Sequence, residues 1–199
     1  GGESTQNEAV SVDFDGNDYL SAGSSSDLTM GTGDFTVECW VKFDDTSTNH
    51  GICQISDSAT GIKSTNYGNT IAIAHNGTNW VTYGAGGNED SATYPIAVGQ
   101  WYHVAYVRSS SVSKLYVNGI QVTTKADTTD YDGTTVAIGA YYSVQMINGL
   151  ISNFRVVKGT ALYTSSFRPP TEPLTNITNT KLLCCNNSST TGKTVGPTI

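Results

Sequence analysis

A two-sheet antiparallel β-sandwich, of plain sandwich or jelly-roll type, is the all-β fold that this 199-residue chain predicts. Three observations carry that expectation. Gly, Thr, Ser and Asn supply 85 residues while only 14% are charged, a balance that favours short strands and turns over charged amphipathic helices. The run D-F-T-V-E-C-W-V-K-F from Asp34 alternates strictly, placing Phe35, Val37, Cys39, Val41 and Phe43 on one face and Thr36, Glu38, Trp40 and Lys42 on the other. About eleven strand-like segments recur at roughly 8–12-residue spacing with turn signals between them. Hydrophobic residues at 37%, with eleven Tyr and three Trp, are enough to fill a core and argue against disorder.

In chain order, V-D-F-D-G-N-D-Y-L reads as a hairpin turning at Asp15 to Asp18, and the strand from Asp34 follows. Thr70 to Tyr83 reads as a second hairpin, I-A-I-A-H and W-V-T-Y flanking N-G-T-N. Gln100 to Val122 forms a three-stranded meander whose last turn is Asn118-Gly119, two positions that tolerate positive φ. Val136 to Gly139, Gly149 to Lys158 and Thr180 to Cys185 add strands, and the stretch around Phe167 to Pro173 reads as a crossover loop on the sandwich edge. The expected organisation is an N-terminal tail over 1–10, one domain over 11–185, and a C-terminal tail or linker over 186–199. The start GGESTQNEAV carries no readable targeting signal and is expected of a processed or excised piece of something longer, or of an added scar.

A net charge of −7 and a pI near 4.7 repel phosphate backbones and anionic lipid heads, which makes nucleic acid a poor partner. Gly133 to Phe154, the charge-free stretch best suited to a membrane span, is broken by Gly and Asn and reads as two strands with a loop, so no membrane span is expected. Cys39, Cys53, Cys184 and Cys185 include no C-x-x-C pair, and His50, His75 and His103 lie far from them, so zinc spacing is absent and free thiols are expected. Alternation points Cys39 inward and sends Cys184 and Cys185 to opposite sides of the last strand. Sequons at Asn76, Asn176, Asn186 and Asn187 are as many as chance provides.

The segments F-D-G-N-D-Y-L at Phe14 to Leu20, G-T-G-D-F-T-V-E-C-W-V at Gly31 to Val41, W-Y-H-V-A-Y-V-R at Trp101 to Arg108, L-Y-V-N-G at Leu115 to Gly119, and I-N-G-L-I-S-N-F-R-V-V-K-G-T-A-L-Y at Ile147 to Tyr163 stand in a telling order. The chain resembles the laminin G-like, concanavalin A-like lectin and glucanase jelly-roll superfamily. The closing run T-A-L-Y-T-S-S-F-R-P-P-T-E-P-L-T with T-K-L-L-C-C is similar to the version in tail and head fibres of marine and cyanobacterial phages. The resemblance implies two curved sheets, ligand sites on the concave face or loop rim, and in many members a calcium ion held by Asp, Asn and main-chain carbonyls. It further implies a virion component, or alternatively a cell-surface one, in an oligomeric assembly that binds host-surface polysaccharide or another virion protein.

A sandwich glycosidase needs two carboxylates on one face of a groove. Of the five glutamates, none has another acid two residues away in a strand, and Glu38 has only Thr36 and Trp40 beside it. No catalytic residue is assigned, and His103 reads as a hydrogen-bonded structural histidine. For glycan, the candidates are aromatics with neighbouring amides, namely Tyr67 and Asn69, Asn79 with Trp80 and Tyr83, and Tyr141 with Tyr142; sugar C–H faces stack on rings while hydroxyls bond to amides. The alternative places Trp80 and Tyr83 in the core or at an interface. Trp40 and Trp101 read as packing residues. For calcium, the candidates are Asp13, Asp15, Asn17 and Asp18, with Asn153 standing where relatives often carry Asp; the alternative is a turn chosen for its backbone. The functional expectation is a non-catalytic module for glycan adhesion or particle decoration, with a purely structural capping module as the second reading.

Overall fold

The computed structural model describes residues 10–46, 49–65, 67–142, 145–187 and 193–199. Within them run β1 (Val12–Asp15), β2 (Leu20–Ala22), β3 (Phe35–Phe43), β4 (His50–Ser56), β5 (Ile71–His75), β6 (Trp80–Gly84), β7 (Asn88–Ala92) and β8 (Trp101–Ser109). The second half adds β9 (Val112–Val117), β10 (Ile120–Gln121), β11 (Lys125–Ala126), β12 (Thr135–Ile138), β13 (Ala140–Tyr141), β14 (Gln145–Met146), β15 (Asn148–Lys158) and β16 (Thr180–Cys184). One antiparallel sheet has the order β1-β15-β3-β8-β9-β10, with β16 also on β15 and β11 also on β9. The other has the order β2-β12-β4-β5-β6-β7, and β13 with β14 makes a separate hairpin. No helix among the described residues is long and apolar enough to cross a membrane.

The core lies between the sheets. Phe35, Val37, Cys39, Val41 and Phe43 are all fully buried, as their alternation requires, and they share one cluster with Ile52, Ile55, Ile71, Ile73, Trp80, Val136 and Ile138 of the opposite sheet. Each large apolar side chain removed from water contributes about 1.5–3 kcal/mol. The meander forms as expected, β8, β9 and β10 pairing in sequence with Asn118 at φ +50° and Gly119 at φ +76°.

Four expectations need correction. The segments flanking Asp15–Asp18 are not a hairpin: β1 pairs with β15 and β2 with β12, so the turn crosses from one sheet to the other. Phe14 and Leu20 each contribute to the core from their own sheet, which a hairpin within one sheet would not achieve. Cys185 is buried in the same core as Cys184, because β16 ends at Cys184 and the positive φ of Cys185 (+57°) breaks the alternation. The Pro-rich segment lies on a face and not an edge: Ala161, Tyr163 and Phe167 pack over Ala105, Val107 and Tyr116, outward apolar positions that need a cover. Residues 193–199, within the expected tail or linker, return to the body, where Leu183 bridges Val195, Gly23 donates to the Thr198 carbonyl (2.9 Å) and Ile199 packs on the core.

All four cysteines are buried and free. Burial raises Cys53 to about 12 and Cys39 well above an ordinary thiol, so both act as small hydrophobes.

Candidate functional site

On the six-stranded sheet, alternation sends Ile71 and Ile73 of β5 inward and Ala72 and Ala74 outward, with Val81 and Tyr83 of β6 beside the alanines. The small alanine side chains leave a trough. Its wall is the β13–β14 hairpin, which lies on β4 so closely that a Cβ at Gly51 would strike the Tyr141 nitrogen and the Gln145 carbonyl. The resulting groove is about 720 Å³, lined by Asn49, Ala74, His75, Asn76, Thr78, Asn79, Val81, Tyr83, Glu89, Tyr141, Tyr142 and Gln145.

Tyr83 and Tyr141 stack with ring centroids 5.1 Å apart and planes 25° from parallel, and Tyr142 extends the aromatic row at 5.8 Å. Tyr142 is 39% exposed. The Tyr83 hydroxyl donates to Glu89 Oε2 (2.7 Å), and desolvation together with that carboxylate holds the phenol above its usual range. At the β5–β6 turn, Asn76 Oδ1 accepts from the Thr78 and Asn79 backbone nitrogens (3.2 and 2.8 Å), and Asn79 Oδ1 accepts from the Thr93 hydroxyl (2.7 Å). His75 is buried at the end of β5 with Nδ1 accepting from Gly77 N (3.1 Å); burial and the neighbouring His50 pull it down to about 4, so it is neutral near pH 7.

Of the expected glycan residues, the structure brings together Asn79, Tyr83, Tyr141 and Tyr142. Trp80 does not join them: it points into the core, donates to the Tyr94 carbonyl (3.2 Å) and packs on Phe43 and Tyr102. Asn69 lies elsewhere, bonded to Asp132 and 3.5 Å from Lys63 Nζ. The Tyr67 side chain falls outside the described residues. Sequence reasoning missed Asn49, Asn76, Glu89 and Gln145, and the alternating I-A-I-A of β5 was the signal for a hollow floor.

A second hollow of about 470 Å³ shares Asn49 and Gln145 with the groove and reaches Asp15, Asn17, Asp45 and Asn148. Asp15 Oδ1 accepts from Asn17 N (2.9 Å), Asp18 Oδ1 accepts from Asp15 N (3.3 Å), and the Asn148 amide donates to Asp45 Oδ2 (3.0 Å). Asp13 is exposed at a neighbouring position of β1 and does not line this hollow. Asn153 is separate from all of these: it is buried in β15 with its Oδ1 accepting from Leu174 N (2.8 Å). Among the described residues, no three His, Cys, Asp or Glu side chains group closely enough to hold a metal ion.

The opposite face carries a different constellation. Glu38 Oε1 accepts from Arg155 Nε and Nη2 (2.9 and 2.6 Å), while Oε2 meets His103 Nε2 (3.0 Å) and accepts from the Tyr163 hydroxyl (2.8 Å). Burial opposes ionisation, but the hydrogen bonds and charges of His103 and Arg155 outweigh it and hold this carboxyl below its usual range. Tyr163 and Phe167 stack at 3.6 Å above it. Both Glu38 oxygens are engaged and Glu38 is fully buried, an arrangement that ties down the segment carrying Ala161, Tyr163 and Phe167, a strap over the eight-stranded sheet.

The β-sandwich is thus covered on one outer face by its own chain and open on the other through a tyrosine and amide groove. Residues 14–162 match the family model described as the concanavalin A-like lectin/glucanases superfamily, and the chain belongs to that family. No curated protein matches the chain. Among solved structures, it is similar to a candidate carbohydrate binding protein from Bacteroides ovatus, with TM-score 0.62, 16% identity, and 84% of this chain covering 50% of that one. It is also similar to domains LG4-5 of the mouse laminin α1 chain, with TM-score 0.56 and 17% identity over 95% of this chain and 47% of that one. A third is the CBM40 of Ruminococcus gnavus IT-sialidase bound to α2,3 sialyllactose, with TM-score 0.56 and 10% identity over 76% and 91%. The chain thus spans about half the length of the first two.

Proposed function

We propose that this chain is a non-catalytic carbohydrate-binding module whose glycan site is the groove on the six-stranded sheet. The stacked Tyr83–Tyr141 pair with Tyr142 and the flanking amides of Asn79 and Gln145 carries the reading, since ring faces take sugar C–H surfaces and amides take hydroxyls. Two sandwich neighbours whose names refer to carbohydrate support it. Its expected partner is a polysaccharide. The test is titration against a glycan panel beside Tyr83→Ala and Tyr142→Ala: loss of binding in both is expected, and undiminished binding in both would remove the groove from consideration.

The setting we propose is a phage virion appendage, a tail or head fibre assembled as an oligomer that meets host-surface polysaccharide or another virion protein, with a cell-surface protein as the alternative. The closing run from Thr160 through Cys185 supports it. Adhesion is favoured over pure assembly because the large exposed apolar side chains among the described residues are only four, Val98, Ile120, Tyr142 and Ile177, on separate segments of the chain. Calcium belongs to the same proposal. The carboxylates of Asp15 and Asp45 and the amide oxygens of Asn17 and Asn148 around the second hollow are of the kind that suits a hard cation, whereas Asn153 lies too deep to join them. A melting temperature that rises with calcium and falls with chelator would support it.

A further inference from the structure

The groove has an uneven charge inventory. Its described lining contains one carboxylate, Glu89, several amides and hydroxyls, and no lysine or arginine. The adjoining hollow adds Asp15 and Asp45 and again no cation among its described residues. His75 supplies no positive charge near neutral pH. Lys125 donates to the Glu89 backbone carbonyl (3.2 Å) from β11 and does not line the groove. The chain as a whole carries −7.

An anionic sugar entering such a site would surrender hydration without gaining a charge-assisted bond and would meet carboxylates of its own sign. A neutral sugar meets no such penalty, because amides and tyrosine hydroxyls replace the water around its hydroxyls and the rings take its apolar face. The two hollows meet at Asn49 and Gln145, so the surface whose described lining holds no lysine or arginine is longer than the tyrosine row alone. We infer that the groove selects neutral polysaccharide over glycans bearing carboxylate or sulfate. This rests on the groove being the glycan site, and it adds the chemical class of its ligand.

The experiment titrates the full chain, in chelator and again with added calcium, against glycan pairs that differ in charge: agarose oligosaccharides with sulfated carrageenan oligosaccharides, glucan with glucuronan oligosaccharides, and lactose with sialyllactose. In every pair that binds, the neutral member is expected to bind at least about tenfold more tightly, equivalent to about 1.4 kcal/mol. Glu89→Gln keeps an acceptor for the Tyr83 hydroxyl while removing the charge, and it is expected to shrink that ratio several-fold. Equal or tighter binding of the charged member, in either condition, overturns the inference while leaving the groove a glycan site. An unchanged ratio in Glu89→Gln overturns the electrostatic origin of the selectivity. Binding of no member of any pair overturns both readings.

Discussion

The two outer faces of the sandwich start from similar material and end in opposite states. On the eight-stranded sheet, outward Glu38, His103 and Arg155 are covered by a strap whose Tyr163 and Phe167 complete a closed network. On the six-stranded sheet, outward Ala72, Ala74, Val81 and Tyr83 are left under a hairpin that overhangs without filling the space. A face built of large buried charges needs its partners supplied by the same chain, because an unpaired buried charge is costly. A face built of alanines and tyrosines needs no such cover, and it can remain open for a ligand.

The comparison breaks most sharply at Glu38. Glu38→Gln leaves Arg155 and His103 buried beside a neutral group, and a loss of about 3–5 kcal/mol is expected in urea unfolding. Tyr163→Phe removes one hydrogen bond to the same carboxylate and is expected to cost about 1.5–3 kcal/mol. In both variants, protein that remains folded should bind glycan as before; impaired binding would mean the two faces are coupled.

Acid should act on both faces with the same sign. His75 is held near 4 when folded against 6.5 for an ordinary histidine, so the unfolded chain binds more protons between those values and stability falls as pH drops through that window. His50, lowered by burial despite Asp45, adds to this. Glu38, held below its ordinary 4.5, extends the loss to lower pH. His75→Gln should flatten the upper part of the pH–stability curve, and an unchanged slope would show that His75 is not its source. The smallest effect is expected at Tyr142, where Tyr142→Ala should change stability within about 0.5 kcal/mol.

Local periodicity made part of this legible. The core face of β3 follows from the alternation of Phe35 to Phe43, and the same rule places Ala72 and Ala74 outward on β5. It also separates Trp80 from Tyr83, since positions three apart on a strand face opposite sides; grouping them as one candidate site overlooked that parity. Other features depend on which strand lies beside which. Arg155 and His103 reach Glu38 through the pairing of β3 with β15 and β8, and nothing local to Glu38 announces either partner. The choice of different sheets for β1 and β2, and the meeting of Tyr83 with Tyr141, are long-range in the same sense.

The central claim, that the open face is the ligand face, is tested most directly by amide and side-chain NMR during titration with a neutral oligosaccharide that binds. Shifts are predicted to concentrate at Asn76, Asn79, Tyr83, Tyr142 and Gln145 while Tyr163, Phe167 and His103 stay still. Shifts concentrated on the strap and the eight-stranded face would contradict the claim.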